Sequence, residues 1–489
     1  MATDPAAAPA AGPGASRPTP REWARAALLS ALLTVALTWP LALRLHVMDP
    51  GDSAFFAWLL AWERHALLTD PAALPHGNVS PPTRFVLGLD EPILGTLPLG
   101  LPLWPFTGDA VLVFGLVRLL TYGLTALFTW RLLRELGCGS WPALAGGALF
   151  AFSPIRTDQV AHLSTLGTQW LPLVALFLVR YARAGRQREA LLAGVFYALA
   201  FLACGYHGVL GLLAWPFFAL AVLWGAWGRL ARALPAVALA GLLLAPLYLL
   251  HRAAFREIGH ERTAVETARY TSGLESFLAV SPWNHVYGPW LARFRSEGSA
   301  LFPGLVPLGL AAAAAWRLRR DGARPSREAV GFALLAAAGA VVALGPELRL
   351  GERVLLASPV ALARELLPPL QGVRAYGRAG IFLAFGLAVL AGRALEALRP
   401  SRAAVLGLAA LGLLESLVVP IPLASWAQVV DSRQPVPPVY AWLAEQPPGQ
   451  VVVELPLLGN DALTRRPAFH ESIYMLRSTH HWQRLVNAY

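Results

Sequence analysis

Long apolar runs separated by short arginine-bearing stretches dominate the chain. Eleven runs stand out, at roughly 25–45, 109–133, 140–154, 162–181, 189–205, 208–227, 233–251, 300–316, 328–345, 378–396 and 403–421. A bilayer crossing takes about 20 apolar residues. The pattern therefore predicts an all-α polytopic membrane protein with about eleven transmembrane helices, in a range of 10–13 because runs such as 140–154 are short. Two further stretches, one following Asp52 and one from Ile93 to Phe106, are apolar nearly all round. Trp58 and Trp62 mark the first, and Pro98, Pro102 and Pro105 break the second, so both read as interfacial segments of the first outer loop. Residues 1–22 read as a disordered Ala/Pro/Gly tail and 23–423 as the membrane domain. The remaining 424–489 read as a small outer α/β segment, because "PPVYAWLAEQPPGQVVVELPL" suggests a short helix, a turn and a β-branched strand. So short a piece is either part of a larger outer domain or packed on the helices.

Composition sharpens this picture. Hydrophobic residues make up 56% of the chain and charged residues 14%, against about 25% charged in soluble domains. Every basic residue is arginine, a bias that fits a high-GC bacterial genome. Placing the N-terminus in the cytoplasm puts 19 arginines and seven acids inside, while the opposite side nearly balances. The net charge of +11 is thus a topology signal and requires no nucleic-acid partner. The chain is expected in a bacterial inner membrane, with its C-terminus periplasmic. Four long segments then lie outside: 46–108, 252–299, 346–377 and 422–489. Cys138 and Cys204 fall at opposite ends of the spans and read as packing residues.

Candidate chemistry lies in those outer segments. In "MDPGDSAFF", Asp49 fits an N-cap with Pro50 at N1 and Asp52 in the first turn, and a capping role leaves room for a catalytic one. Asp52 and Glu63 share a helix face but are ~16 Å apart, too far for a close carboxylate pair. Asp90-Glu91 forms a second acidic pair. "SPIRTDQVAHL" brings Arg156, Asp158 and His162, readable as a solvated turn with an Arg156–Asp158 pair or as an acceptor or divalent-cation position. One acid and one histidine are too few to define a metal, so no cofactor is assigned and a divalent cation stays open as an alternative. Arg374 and Arg378 are four apart, which on a helix places them on one face. At the outer N-terminal end of a span cations oppose both the helix dipole and the charge bias, and either an ion pair or a bound phosphate explains them. Tyr206-His207, His260-Glu261-Arg262, Trp283-Asn284-His285 and His480-His481 complete the outer polar groups.

A cytoplasmic N-terminus, one span, an outer loop opening with acids in "DPGDS" and "DEP", two interfacial stretches and many later spans together resemble the GT-C glycosyltransferases over about residues 20–425. The chain is also similar to bacterial multi-pass proteins carrying "GDS…W", "H…HL" and an arginine motif before a late span. The GT-C resemblance implies an integral-membrane enzyme using sugars on polyprenyl phosphate, with a glycan, lipid or protein acceptor. It implies a catalytic acid in the first outer loop, carried by position onto Asp52, with Asp49 next. Arg374 and Arg378 would then hold the lipid phosphate, with Asp90, Glu91, Arg156, Asp158 and His162 as further binding candidates. The rival readings are a transporter or flippase for a lipid-linked glycan and a noncatalytic envelope assembly protein.

Overall fold

The computed structural model describes residues 17–259, 270–295, 300–421, 423, 429–456 and 469–488. The fold is mostly helical. Its longer helices are α1 (Pro20–Leu37), α2 (Asp52–Thr69), α3 (Ala110–Glu135), α4 (Ser140–Ala151), α5 (Leu171–Ala184), α6 (Gln187–Ala203), α7 (Gly205–Val222) and α8 (Leu234–Ile258). After a long connection come α9 (Leu305–Arg320), α10 (Arg327–Ala343), α11 (Gly380–Leu398) and α12 (Arg402–Leu414), then the short α13 (Pro438–Ala444) and α14 (Phe469–Ser478). Each of the eleven apolar runs carries helix. Among the described residues, five helical stretches are long and apolar enough to cross a membrane: Ala110–Glu135, Leu163–Ala184, Gly205–Val222, Trp227–Ile258 and Tyr376–Leu398. The chain is a multi-pass membrane protein. α4, with 12 residues, rises only ~18 Å against a hydrocarbon core of ~30 Å.

Several boundaries moved for local reasons. A capping box between Thr19 and Glu22 starts α1 at Pro20, inside the stretch expected to be disordered, whose residues 1–16 lie outside the described ones. The same helix stops at Leu37, ahead of Trp39-Pro40, well short of residue 45. The run 162–181 is interrupted between Leu166 and Leu171.

α3, α4, α11, α10, α7, α6 and α5 pack on one another in a closed circuit, with α8 against α6, α9 against α11 and α1 against α3. Phe150, Phe218, Phe332, Phe382 and Phe385 fill its centre. Contacts between helix ends gather most of the segments assigned to one side: Arg134 meets Glu22 at 3.1 Å, Arg180 meets Glu135 at 2.8 Å, and Arg183 meets Glu328 at 2.8 Å. Much of α8 faces outward, with Leu234, Val237, Leu242 and Leu249 exposed. So continuous an apolar face suits lipid.

α2 corrects an expectation. Its aromatics do not lie at a lipid surface, since Phe55, Phe56, Trp58 and Trp62 are all buried. α3 packs on one side of α2 and α14 on another, and a helix apolar all round is a buried helix. The C-terminal segment supplies the cover. Trp482 stacks on His65 with ring centroids 4.0 Å apart, and Asn78 Nδ2 donates to Ser478 Oγ at 3.0 Å. The expected short helix and strand are present as α13 and β5 (Val451–Val452). Strand order in the three small sheets is β1 (Val47–Met48) with β4 (Val430–Asp431), the hairpin β2 (Glu347–Leu350) with β3 (Arg353–Ala357), and β5 parallel to β6 (Arg484–Leu485).

Candidate functional site

A cavity of about 1610 Å3 lies between the start of α2, the 89–91 turn, the first half of α7, the inner face of α8 and the 361–378 connection. Asp52, Asp90, Glu91, His162, Arg374 and Arg378 all line it, although they come from four separate parts of the chain. Opposite them, α7 and α8 contribute an apolar wall that includes Val209, Leu212, Leu244 and Leu247. Leu212 and Tyr248 line the cavity and are themselves exposed, so the cavity is open and not sealed inside the bundle.

Asp52 reaches the cavity through an unusual turn. The helix N-cap is Gly51, not Asp49, with φ 82° and ψ −131°, a region that glycine alone adopts readily. The Gly51 N–H donates to Ser472 Oγ of α14 at 2.8 Å, so the C-terminal segment holds the turn. Asp52 occupies the first helical position, where the positive end of α2 favours its carboxylate. Its Oδ2 lies 3.0 Å from His162 Nε2, and each side chain is 34% exposed. The partner of His162 is thus Asp52, from a segment 110 residues earlier, and not the nearby Asp158. Asp49 is turned inward and does not line the cavity. Burial pushes its carboxyl up to about 6, with the Arg118 charge pulling it down.

Glu91 organises the middle of the cavity. Oε1 accepts the Tyr206 N–H at 3.2 Å and lies 3.7 Å from Arg378 Nη1, while Cys204 Sγ is 3.7 Å from Oε2. Burial raises its pKa and the Arg378 charge opposes that rise. Arg378 also stacks over Tyr206 at 4.1 Å. Arg374 lies over the Tyr270 ring at 4.9 Å. The two arginines do not share a helix face, because α11 begins only at Gly380 and Arg378 sits in a 3-10 turn from Tyr376 to Ala379. The break lets both reach one cavity. Glu63, deeper on α2, fixes the neighbouring loop by accepting the Ile93 N–H at 2.9 Å. Burial pushes its carboxyl up to about 8, against the hydrogen bond from Ile93. Gly95 lets that loop sit on α6, since a Cβ there would lie 2.1 Å from Leu199 O.

Arg156 and Asp158 stand away from the cavity lining. Arg156 is buried, donates to Ala151 O and to Leu166 O at 2.8 Å, and covers the Tyr122 ring at 4.6 Å. It satisfies carbonyls left open where helices break. Asp158 pairs with Arg295 at 3.0 Å and not with Arg156. His207 is buried beside the smaller space lined by Arg156. Asn284 donates to Glu415 O at 2.7 Å, and Glu415 caps the start of α9 through Leu305 N and Val306 N at 2.9 Å. His481 is buried against Tyr440. His260-Glu261-Arg262 lies outside the described residues.

Sequence reasoning missed Arg252, Arg256 and Arg364, which also line the cavity. Among the described residues none of the three is ion-paired, whereas Arg378 is committed to Glu91. The spacing of Arg252 and Arg256, four apart on one helix, was a signal available in the sequence. Among the described residues no group of three or more His, Cys, Asp or Glu is placed to hold a metal ion. Cys138 and Cys204 are both free and buried.

Taken together, the apolar helices and the bundle they form define a multi-pass membrane protein with a large cavity lined by both charged and apolar side chains. The chain belongs to the family described as a domain of unknown function (DUF6311), which matches residues 98–414. That span includes His162 and the five cavity arginines, and begins after Asp52, Asp90 and Glu91. No curated protein matches the chain.

Proposed function

We propose that the protein is a GT-C-type inverting glycosyltransferase that moves a sugar from a polyprenyl-phosphate donor to a cell-envelope acceptor. The observation that carries this reading is the shared cavity, in which a carboxylate–imidazole pair and several arginines face one space with an apolar wall. An acceptor hydroxyl oxygen attacks the anomeric carbon and Asp52 takes its proton, with His162 holding the carboxylate. The bond from the anomeric carbon to the phosphate oxygen breaks, and the lipid phosphate leaves with the electron pair. Arg374, with Arg252, Arg256 and Arg364, stabilises the charge that develops there. Arg378 positions this group through Glu91. The prenyl chain lies along α7 and α8. In this reading the chain crosses a bacterial inner membrane eleven times from a cytoplasmic N-terminus, and the cavity opens toward the periplasm. No metal is assigned a step.

The test is transfer from a radiolabelled polyprenyl-phosphate sugar in proteoliposomes. Asp52→Asn should lower transfer by ~10²–10⁴-fold while expression and thermal stability stay as in wild type. Full activity in that variant would remove Asp52 from the reaction. Movement of the labelled lipid across the bilayer without bond cleavage would point to a flippase.

A further inference from the structure

A second, smaller cavity of about 250 Å3 lies between the stretch from His76 to Arg84 and the C-terminal strand at Arg484. It is built by docking. Leu485 N donates to Asn78 O at 2.7 Å, and Ser80 N donates to Leu485 O at 2.7 Å, so the last strand is stitched onto the first connecting segment. Asn78 forms a rigid floor. Its Oδ1 accepts from Trp58 Nε1 at 3.0 Å, and its Nδ2 donates to Ser478 Oγ and to Gln483 O at 3.0 and 3.1 Å. Ser80 and Phe85, on either side of the lining residues Pro81 to Arg84, hold φ values of 57° and 56°. Non-glycine residues in that region cost ~1–3 kcal/mol each and tend to mark sites where the backbone is shaped for a ligand.

The side chains on this floor are donors. Arg84, Arg484, His76 and Thr83 line the cavity and no carboxylate does. Among the described residues neither guanidinium is ion-paired. The Arg84 guanidinium is held over the Phe85 ring at 5.2 Å, and its backbone N–H donates to Glu257 Oε1 of α8 at 2.7 Å. His76 Nδ1 accepts the Phe85 N–H at 3.3 Å, which leaves the proton of the neutral ring on Nε2. Two arginines and a histidine border a small space whose lining holds no carboxylate, the nearby Glu257 being engaged by the Arg84 backbone, and this set matches an oxyanion, which arginine grips through paired N–H groups. The volume lies below the ~300 Å3 at which drug-sized sites begin, a size that suits a small polar ligand such as one sugar ring.

We propose that this pocket binds a single-sugar-sized oxyanion, a carboxylated or phosphorylated monosaccharide, at a site separate from the large cavity. The proposal stands independently of the transfer reaction. Equilibrium dialysis of the full-length protein in nanodiscs, with radiolabelled glucuronate, glucose 1-phosphate, inorganic phosphate and neutral glucose, tests it. At least one of the charged sugars should bind saturably and glucose should not, with preference between glucuronate and glucose 1-phosphate naming the oxyanion. Arg84→Ala/Arg484→Ala should weaken that binding at least tenfold without changing the melting temperature, Arg84→Lys should weaken it less, and Arg374→Ala should leave it unchanged. Equal binding of glucose, no saturable binding of either charged sugar, or loss in Arg374→Ala but not in the double variant would overturn the assignment. Binding of inorganic phosphate as tight as that of both sugars would show an anion site without sugar recognition and would also overturn it.

Discussion

Removing Glu91 tests how the cavity is held together. Its carboxylate accepts the Tyr206 N–H at 3.2 Å and lies 3.7 Å from Arg378 Nη1. The two side chains are only 13% and 16% exposed, so solvent screens the pair weakly. Taking one partner from a buried ion pair leaves the other charge uncompensated and costs about 3–5 kcal/mol. Glu91→Ala should therefore destabilise by about that much. Glu91→Gln keeps an acceptor for Tyr206 and loses only the charge, so a smaller loss of ~1.5–3 kcal/mol is expected. Adding Arg378→Ala to Glu91→Ala removes the orphaned cation, and the double variant should be more stable than the sum of the single losses by ~0.5–3 kcal/mol. Reversible unfolding in mixed micelles, followed by tryptophan fluorescence, measures all four members of the cycle. Strict additivity would mean that Arg378 never depended on Glu91, and the ion-pair account of the cavity would fail.

Other consequences follow from single side chains. Glu63 keeps its proton up to about pH 8 when folded, against about 4.5 for its ordinary value. The folded state then binds more protons between those values, so stability falls as pH rises through that window. Glu63→Gln should flatten this slope and stabilise the protein at pH 9 relative to wild type, read from melting temperatures at pH 5, 7 and 9. Gly51→Ala forces an alanine into φ 82° at ~1–3 kcal/mol, and because it displaces Asp52 it should reduce transfer more than it reduces expression. His162→Ala should lower transfer while retaining more activity than Asp52→Asn, and equal loss would give the imidazole itself the proton-transfer role. Glu415→Ala uncaps α9 at Leu305 and Val306 and should cost ~1–3 kcal/mol in unfolding without altering donor affinity.

Much of the bundle was legible in the sequence because helix in a membrane follows from run length alone. Every apolar run carries helix, and the arginine-rich ends that were grouped by charge make ion pairs with one another in three dimensions. Breaks inside runs were harder to see. The stop at Leu37 and the gap from Leu166 to Leu171 depend on turn geometry and on carbonyls that Arg156 satisfies from a distance. α2 was misplaced for a related reason: an all-round apolar helix suits a lipid surface or a protein interior, and only the fold reveals that α14 covers it. Within the site, residue types were readable and partners were not. Asp52 and His162 are 110 residues apart, Gly51 is held by Ser472, and Glu91 claims the arginine expected to bind substrate. Local spacing carries no trace of such long-range pairs.

The most direct measurement is a cryo-EM map of the protein in nanodiscs with polyprenyl monophosphate bound. The account predicts phosphate density inside the large cavity, contacted by Arg374 on one side and within one sugar's length of Asp52 on the other, with the prenyl chain leaving between α7 and α8. Phosphate density bound elsewhere on the protein, with the Asp52–His162 cavity empty, would contradict it.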